Sequence, residues 1–291
     1  NKNQNFNMLR YTPLLSIEPF TLSTLKVGWT PLYKTTNLGK KLGLSNLFVK
    51  DEGLNPTASL KDRASLIACI KAIENKQETI CCSSTGNAAS SLAGNAAKLR
   101  LKSLIFVPKR APIGKLAQLV TYGANLIKID GDYKQTFNAS KAAIDKFGLY
   151  NRNAAINPHL VEGKKTVALE IAEQLDFKKI DNVIISVGDG CSIGAVYKGF
   201  YDLFQLNLIP SIPRIIGVQS EGCSPFFTAW KTNTALKETE ENTIADSIAV
   251  GIPRNPVKGL NAVKKTNGLF VTVTDTEILD ATSILGASEG I

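Results

Sequence analysis

Residues 182–194 read Asn182-Val183-Ile184-Ile185-Ser186-Val187-Gly188-Asp189-Gly190-Cys191-Ser192-Ile193-Gly194. A short β-branched run ends in glycines and then enters a segment of helical spacing, which is the strand-loop-helix order of a parallel α/β sheet. The same order recurs along the chain. Apolar runs bounded by turn residues occur at Leu47–Lys50, Thr79–Cys82, Ser103–Val107, Leu126–Asp130, Asn182–Val187, Arg214–Gln219 and Leu269–Thr274. Between them lie segments with helical spacing, such as Ile67, Ile70 and Ile73, or Leu116, Leu119 and Val120. Alternation of this kind predicts an α/β protein with parallel sheets covered by helices on both faces. The polar stretch Tyr150–His159 is the expected crossover between domains, and Thr232–Glu241 reads as a surface loop.

The chain has 291 residues, 44% of them hydrophobic and 20% charged. At roughly 100 to 200 residues per domain, two domains are expected. No apolar run approaches the roughly 18 to 20 residues needed to span a bilayer, and the first thirty residues lack the order of a signal peptide. A soluble, cytoplasmic protein is expected, with no membrane partner. Cysteines at 69, 81, 82, 191 and 223 form no C-x-x-C pair, and His159 is the single histidine, so no metal site is expected. The formal net charge of +9 comes from isolated pairs such as Lys40-Lys41 and Lys264-Lys265, with no basic arm or aromatic-basic run. That distribution argues against nucleic acid and suits small anions.

In such sheets ligands bind where loops lead from strand ends into helix N-termini, whose free N–H groups attract anions. Three junctions of this kind stand out. The first is Asn55-Pro56-Thr57-Ala58-Ser59-Leu60-Lys61-Asp62-Arg63, where Ser59 and Asp62 have the S-x-x-D spacing of a capping box. Lys61 then falls in the first helical turn, where the dipole disfavours its ammonium form and helps supply a neutral amine. The second is Ser83-Ser84-Thr85-Gly86-Asn87, a donor-rich pocket suited to a carboxylate. The third is the glycine loop quoted first, where the backbone can approach a phosphate and Ser192 adds a hydroxyl. As Gly190-x-Ser192-x-Gly194 it matches a nucleophile elbow, but His159 precedes the serine. As Gly188-x-Gly190 it approaches a dinucleotide fingerprint, but the next strand ends in Gln219 where an acid should meet the ribose. A cup for a terminal phosphate is the reading that uses all three junctions. A nucleophilic lysine, a carboxylate pocket and a monophosphate cup are the requirements of a pyridoxal phosphate enzyme.

The motifs Val27-Gly28-Trp29-Thr30-Pro31-Leu32, Lys50-Asp51-Glu52, Asn55 to Arg63, Ser84-Thr85-Gly86-Asn87, Asn157-Pro158, Glu162-Gly163-Lys164-Lys165-Thr166, Gly188-Asp189-Gly190, Lys198-Gly199-Phe200 and Ser247 to Gly251 occur in this order. Together they resemble the threonine synthase family, fold-type II pyridoxal phosphate enzymes related to the tryptophan synthase β chain. The resemblance reaches Glu289-Gly290-Ile291 and so covers nearly the whole chain. It implies a two-domain α/β enzyme with parallel-rich twisted sheets flanked by helices. Residues 1–50 and 152–291 would form a larger domain anchoring the cofactor phosphate, with 51–151 as a smaller inserted domain. Lys61 is implied to form the Schiff base with pyridoxal 5'-phosphate, and Asn87 to bond the pyridoxal 3-hydroxyl. Gly188, Asp189, Gly190, Cys191 and Ser192 would hold the cofactor phosphate, and Ser84, Thr85 and Gly86 would face the substrate carboxylate. The implied reaction converts the phosphorylated amino acid O-phospho-L-homoserine and water to L-threonine and phosphate, in a homodimer.

Two positions depart from the family pattern. Leu160 stands where well-known members carry an arginine that grips the substrate phosphate, so Arg152 and Lys164 become the candidate donors. Cys191 replaces an asparagine common in the phosphate loop. In relatives the stretch resembling Glu289-Gly290-Ile291 continues into a segment that bonds the pyridine nitrogen, and the expectation is that these 291 residues belong to a longer chain or form a truncated product. Two other readings share the motifs: a dehydratase or β-replacement synthase using the same lysine, and a non-catalytic paralogue that binds without turnover.

Overall fold

The computed structural model describes residues 5–154 and 156–291, and in it each of the seven apolar runs forms a strand within one residue of its expected ends. The chain divides into two compact units, the described residues of Asn1–Thr30 with Glu52–Thr166, and Pro31–Asp51 with Val167–Ile291. The division thus puts the N-terminal segment with the unit that contains Lys61. It also lets the first unit run through the whole of Tyr150–His159 to Thr166, of which Ala155 lies outside the described residues.

In the first unit, β3 (Thr79–Ser83), β4 (Lys102–Pro108), β5 (Asn125–Ile129) and β6 (Tyr150–Asn151) form one parallel sheet in the order β5-β4-β3-β6. Helices α2 (Lys61–Glu74), α3 (Asn87–Lys98), α4 (Ile113–Thr121) and α5 (Tyr133–Phe147) connect and cover it. Helix α2 is buried at ten positions, including Leu66, Ile67 and Ile70, where each large aliphatic side chain contributes about 1.5–3 kcal/mol. It meets α3 through Ser65 to Ser91 and Asp62 to Asn95, and its Ala64, Ala68 and Ala72 share one core with Ile80, Leu92, Ile105, Val107 and Leu119. In α4, Leu116 and Leu119 face this core, while Val120 lies outside at 60% exposure. Asp132 and Gln135 form a reciprocal capping box that starts α5.

In the second unit, β7 (Asn182–Ser186), β8 (Arg214–Ser220) and β9 (Leu269–Val273) form a parallel sheet in that order. Helices α7 (Cys191–Gln205), α8 (Pro225–Thr232) and α9 (Pro256–Lys264) belong to it. Strand β8 buries Ile215, Gly217 and Gln219 on alternate positions, as one face of a sheet requires. A Cβ at Gly217 would come within 2.6 Å of the Phe270 ring and 3.1 Å of Ile193 on α7, so the glycine sets how closely helix and sheet pack. A small antiparallel pair, β1 (Leu32–Lys34) and β2 (Phe48–Lys50), flanks α1 (Thr36–Leu42). Lys50 fixes this pair to α6 (His159–Gln174) through Glu170 at 2.9 Å and Gln174 at 2.8 Å. The last helix, α10 (Asp275–Glu289), starts with a Thr274/Glu277 capping box and ends against α1, where Glu289 accepts the Leu38 N–H. Residues 233–241 run as the loop expected after α8, Thr232 itself being the last residue of the helix.

Candidate active site

The loop that delivers Lys61 is held by side chains. Arg63, fully buried, grips Glu52 through Nε at 2.7 Å and Nη2 at 2.6 Å, a bidentate pairing that fixes both planes. Its Nη1 donates to Thr166, and Thr30 adds a hydroxyl donor to Glu52. Asn55 donates to Glu52 Oε2 at 2.9 Å and accepts the Gly28 N–H at 3.0 Å, so the start of the loop belongs to the same network. Ala58 adopts the left-handed conformation at φ +57°, unusual for a residue with a Cβ.

The S-x-x-D pattern does not form a capping box. Ser59 Oγ accepts from the Lys61 N–H, and Leu60 occupies the N-cap position without a side-chain bond. Asp62 turns back instead, accepting from the Thr57 N–H at 2.8 Å, the Thr57 hydroxyl at 2.9 Å and Asn95 Nδ2 at 2.8 Å. The physical reason is burial: a carboxylate with no exposed surface needs three donors, and the loop with α3 supplies them. Burial raises the Asp62 pKa, and the bonds from Thr57 and Asn95 oppose that rise. Lys61 is therefore the first residue of α2, directly after a loop closed on both sides.

At the end of β3, Ser83, Ser84, Thr85 and Gly86 lead into Asn87, the first residue of α3. Gly86 is extended and gives α3 no side-chain cap, so N–H groups of the first turn remain for another acceptor. Ser84 Oγ accepts the Gly86 N–H at 3.1 Å, and Gly86 and Asn87 are exposed. The Ser83 N–H donates to Asn153 Oδ1 at 2.8 Å, yet Ser83 Oγ and Asn153 Nδ2, both buried, have no hydrogen-bond partner among the described residues. Sequence reading missed Asn153; its nearness to Ser83 arises from β6 pairing with β3, and only the two-residue length of β6 hid it.

Arg152 and Lys164 are both buried, at 2% and 3% exposure. Arg152 donates from Nε to Ser65 Oγ at 3.0 Å, and Ser65 shares a hydrogen bond with Ser91, which links the end of β6 to α2 and α3. Leu160 is part of the first unit's core at 2% exposure. His159 Nδ1 meets Ser16 Oγ at 2.8 Å.

The glycine loop of the second unit is built from backbone. Gly190 is left-handed at φ +81° and caps α7 with no side chain, and Cys191 is the first helical residue. A Cβ on Gly188 would lie 3.2 Å from Ile248 Cα and Val250 Cγ2; one on Gly190 would lie 2.6 Å from Asn255 O and the Phe226 ring. Gln219 is fully buried, donating to the Val187 carbonyl at 3.2 Å and accepting the N–H groups of Phe226 and Phe227. Its amide is thus committed to the strand end and to the start of α8, which leaves no acid for a ribose at that point.

A family profile described as pyridoxal-phosphate dependent enzyme matches residues 23–291. A threonine synthase of Methanosarcina acetivorans is 38% identical over 285 residues, covering 97% of this chain and 70% of the relative. One from Methanocaldococcus jannaschii is 35% identical, covering 100% and 72%. Among solved structures, maize serine racemase aligns with a TM-score of 0.77 at 23% identity, over 90% of this chain and 76% of that one. Threonine deaminase isoform 2 of Solanum lycopersicum aligns at 0.78 and 22%, over 89% and 73%. These structures share the fold.

Proposed function

The chain belongs to the pyridoxal-phosphate dependent enzymes, and from that premise we infer that it is a lyase of threonine biosynthesis, converting O-phospho-L-homoserine and water to L-threonine and phosphate. Its cofactor is pyridoxal 5'-phosphate. The observation that carries the choice within the family is the 38% identity to a threonine synthase over 97% of this chain, against 17–23% for the racemases, deaminases and ammonia-lyases that share the fold. The dehydratase, β-replacement and non-catalytic readings are not favoured.

The residues present fit the cofactor. Gly190 sits where a Cβ would collide with neighbouring groups and Gly188 where one would be crowded, and α7 begins without a side-chain cap, so its first N–H groups suit a phosphate dianion. We assign that role to Gly188, Asp189, Gly190, Cys191 and Ser192, the covalent hold to the Lys61 amine, and the ring hydroxyl to Asn87. When bound, the cofactor supplies an electron sink that acidifies the substrate's α-carbon. Lys61 moves protons at that carbon and its neighbours, and the closed loop before it fixes where the amine can reach. Phosphate leaves from the γ-carbon and water adds at the β-carbon. Ser84, Thr85 and Gly86, with the uncapped first turn of α3, orient the substrate carboxylate. Ser83 Oγ and Asn153 Nδ2 are buried donors in need of an acceptor, and they join Arg152 and Lys164 as candidates for the substrate's polar groups. The first unit therefore offers donors other than an arginine at position 160. A cytoplasmic homodimer completes the proposal.

The test is a product assay: phosphate and threonine from O-phosphohomoserine, against pyruvate or 2-oxobutanoate from serine or threonine. Lys61→Ala is expected to abolish turnover, and borohydride treatment of the loaded protein should fix the cofactor on the peptide containing Lys61. Turnover surviving in Lys61→Ala, or ketoacid as the main product, defeats the reading.

A further inference from the structure

We propose that Asn255 is the positioning residue for the phosphate-holding loop, a step that rests on the role given above to Gly188–Ser192. Asn255 occupies the N-cap of α9, the place where an asparagine side chain ordinarily accepts an N–H of its own helix. It makes no such bond. Its Nδ2 donates instead to Cys191 Sγ at 3.2 Å, the first residue of α7. Its backbone N–H donates to the Asp189 carbonyl at 3.0 Å, and the preceding Arg254 N–H donates to Asp189 Oδ1 at 3.1 Å. Its carbonyl oxygen lies against Gly190, where a Cβ would approach to 2.6 Å. Three consecutive loop residues, Asp189, Gly190 and Cys191, are thus set by one short strap, and α9 gives up a side-chain cap to do it. The closeness of α9 to the loop has its own cause in Gly259, whose Cβ would meet the Phe226 ring at 2.5 Å and Gly190 Cα at 3.3 Å.

The strap also accounts for Cys191. A thiol sulfur is a weak acceptor, but it is small enough to be 97% buried and still take the amide of Asn255. The pair holds the first turn of α7 in one orientation, and that turn carries the N–H groups assigned to the phosphate.

The experiment uses the full chain and titrates two probes by absorbance, pyridoxal 5'-phosphate and pyridoxal, which lacks the phosphate. Asn255→Ala is expected to raise the dissociation constant of the phosphorylated probe by about three- to tenfold, the worth of one ordinary hydrogen bond, and to leave that of pyridoxal unchanged. Cys191→Ala should do the same, Cys191→Ser should restore part of the affinity, and the Asn255→Ala/Cys191→Ala double variant should lose no more than either single one. Should Asn255→Ala fail to fold, the cysteine variants carry the test with the same two probes. Equal weakening of both probes, or unchanged affinity for both, overturns the proposal. Gly190→Ala separates the two levels: if it weakens the phosphorylated probe while Asn255→Ala and Cys191→Ala do not, the loop assignment stands and the strap falls. If Gly190→Ala is also silent, the loop assignment itself falls.

Discussion

The loops that open α2 and α7 do comparable jobs by opposite means. The Lys61 loop is locked by charged and polar side chains, with Arg63, Glu52, Asn55 and Asp62 all hydrogen-bonded within the first unit. The Gly188–Ser192 loop is held mainly by close packing of its backbone against Ile248, Asn255 and Phe226, with the Arg254–Asn255 strap adding hydrogen bonds at Asp189 and Cys191. The difference follows from what each presents. A reactive amine at the end of a flexible four-carbon chain needs its Cα placed firmly, and buried ion pairs are stiff if fully satisfied. In the role proposed for it, the second loop must offer bare N–H groups, which glycine provides at Gly188 and Gly190.

The comparison predicts opposite sensitivities. The largest effect is expected from Arg63→Ala, which removes a fully buried guanidinium, leaves the partly buried Glu52 without its bidentate partner, and should cost about 3–5 kcal/mol in urea unfolding, with activity lost alongside. A change below about 1 kcal/mol would mean that the polar network is dispensable and the contrast unfounded. Next, Gly190→Ala adds a Cβ at a left-handed position facing two close neighbours, and should cost about 2–4 kcal/mol from strain and overpacking together, with cofactor affinity falling in parallel. Asp62→Ala strands three donors and should cost about 2–3 kcal/mol, whereas Ser59→Ala, which the capping-box pattern would rank as high, should cost about 1 kcal/mol or less.

The smallest effect concerns His159, whose pKa is lowered by burial and then by the charge of Lys71, with Glu162 and Glu74 pulling the other way. A folded-state pKa below the ordinary 6.5 means that the unfolded chain binds the proton more readily. Its contribution to stability is full above 6.5 and is lost as pH falls through the folded value. His159→Gln should therefore narrow the drop in Tm between neutral and mildly acidic buffer, and an unchanged drop would assign the acid sensitivity to other groups.

Much of this was legible in the sequence, for identifiable reasons. Six of the seven runs are parallel strands rich in β-branched and apolar residues and bounded by turn residues, so they could be read directly; the short antiparallel β2 was read with them, while its partner β1 and the two-residue β6 show no apolar run. The glycine loop was legible because glycine reports a backbone requirement at its own position. Asp62 was misread because the S-x-x-D spacing is local, whereas the choice between capping a helix and facing inward was made by Asn95, 33 positions away. Arg152 has a contact of the same range: its hydrogen bond to Ser65 spans 87 positions, so the sequence could not show what holds it. Ser83 and Asn153 needed the β3–β6 register before they could be seen as neighbours.

All five cysteines are buried, and burial pushes Cys69 and Cys81 up to about 12 and Cys82 to about 11. At neutral pH almost none of these three is thiolate, so alkylating reagents meet them only when the chain opens. Cys69, Cys81 and Cys82 belong to the first unit and Cys191 and Cys223 to the second. The molecule thus carries its own clock for local unfolding. The rate at which each peptide becomes labelled, read by mass spectrometry with no probe introduced, times the opening of the lysine-bearing unit separately from that of the glycine-loop unit.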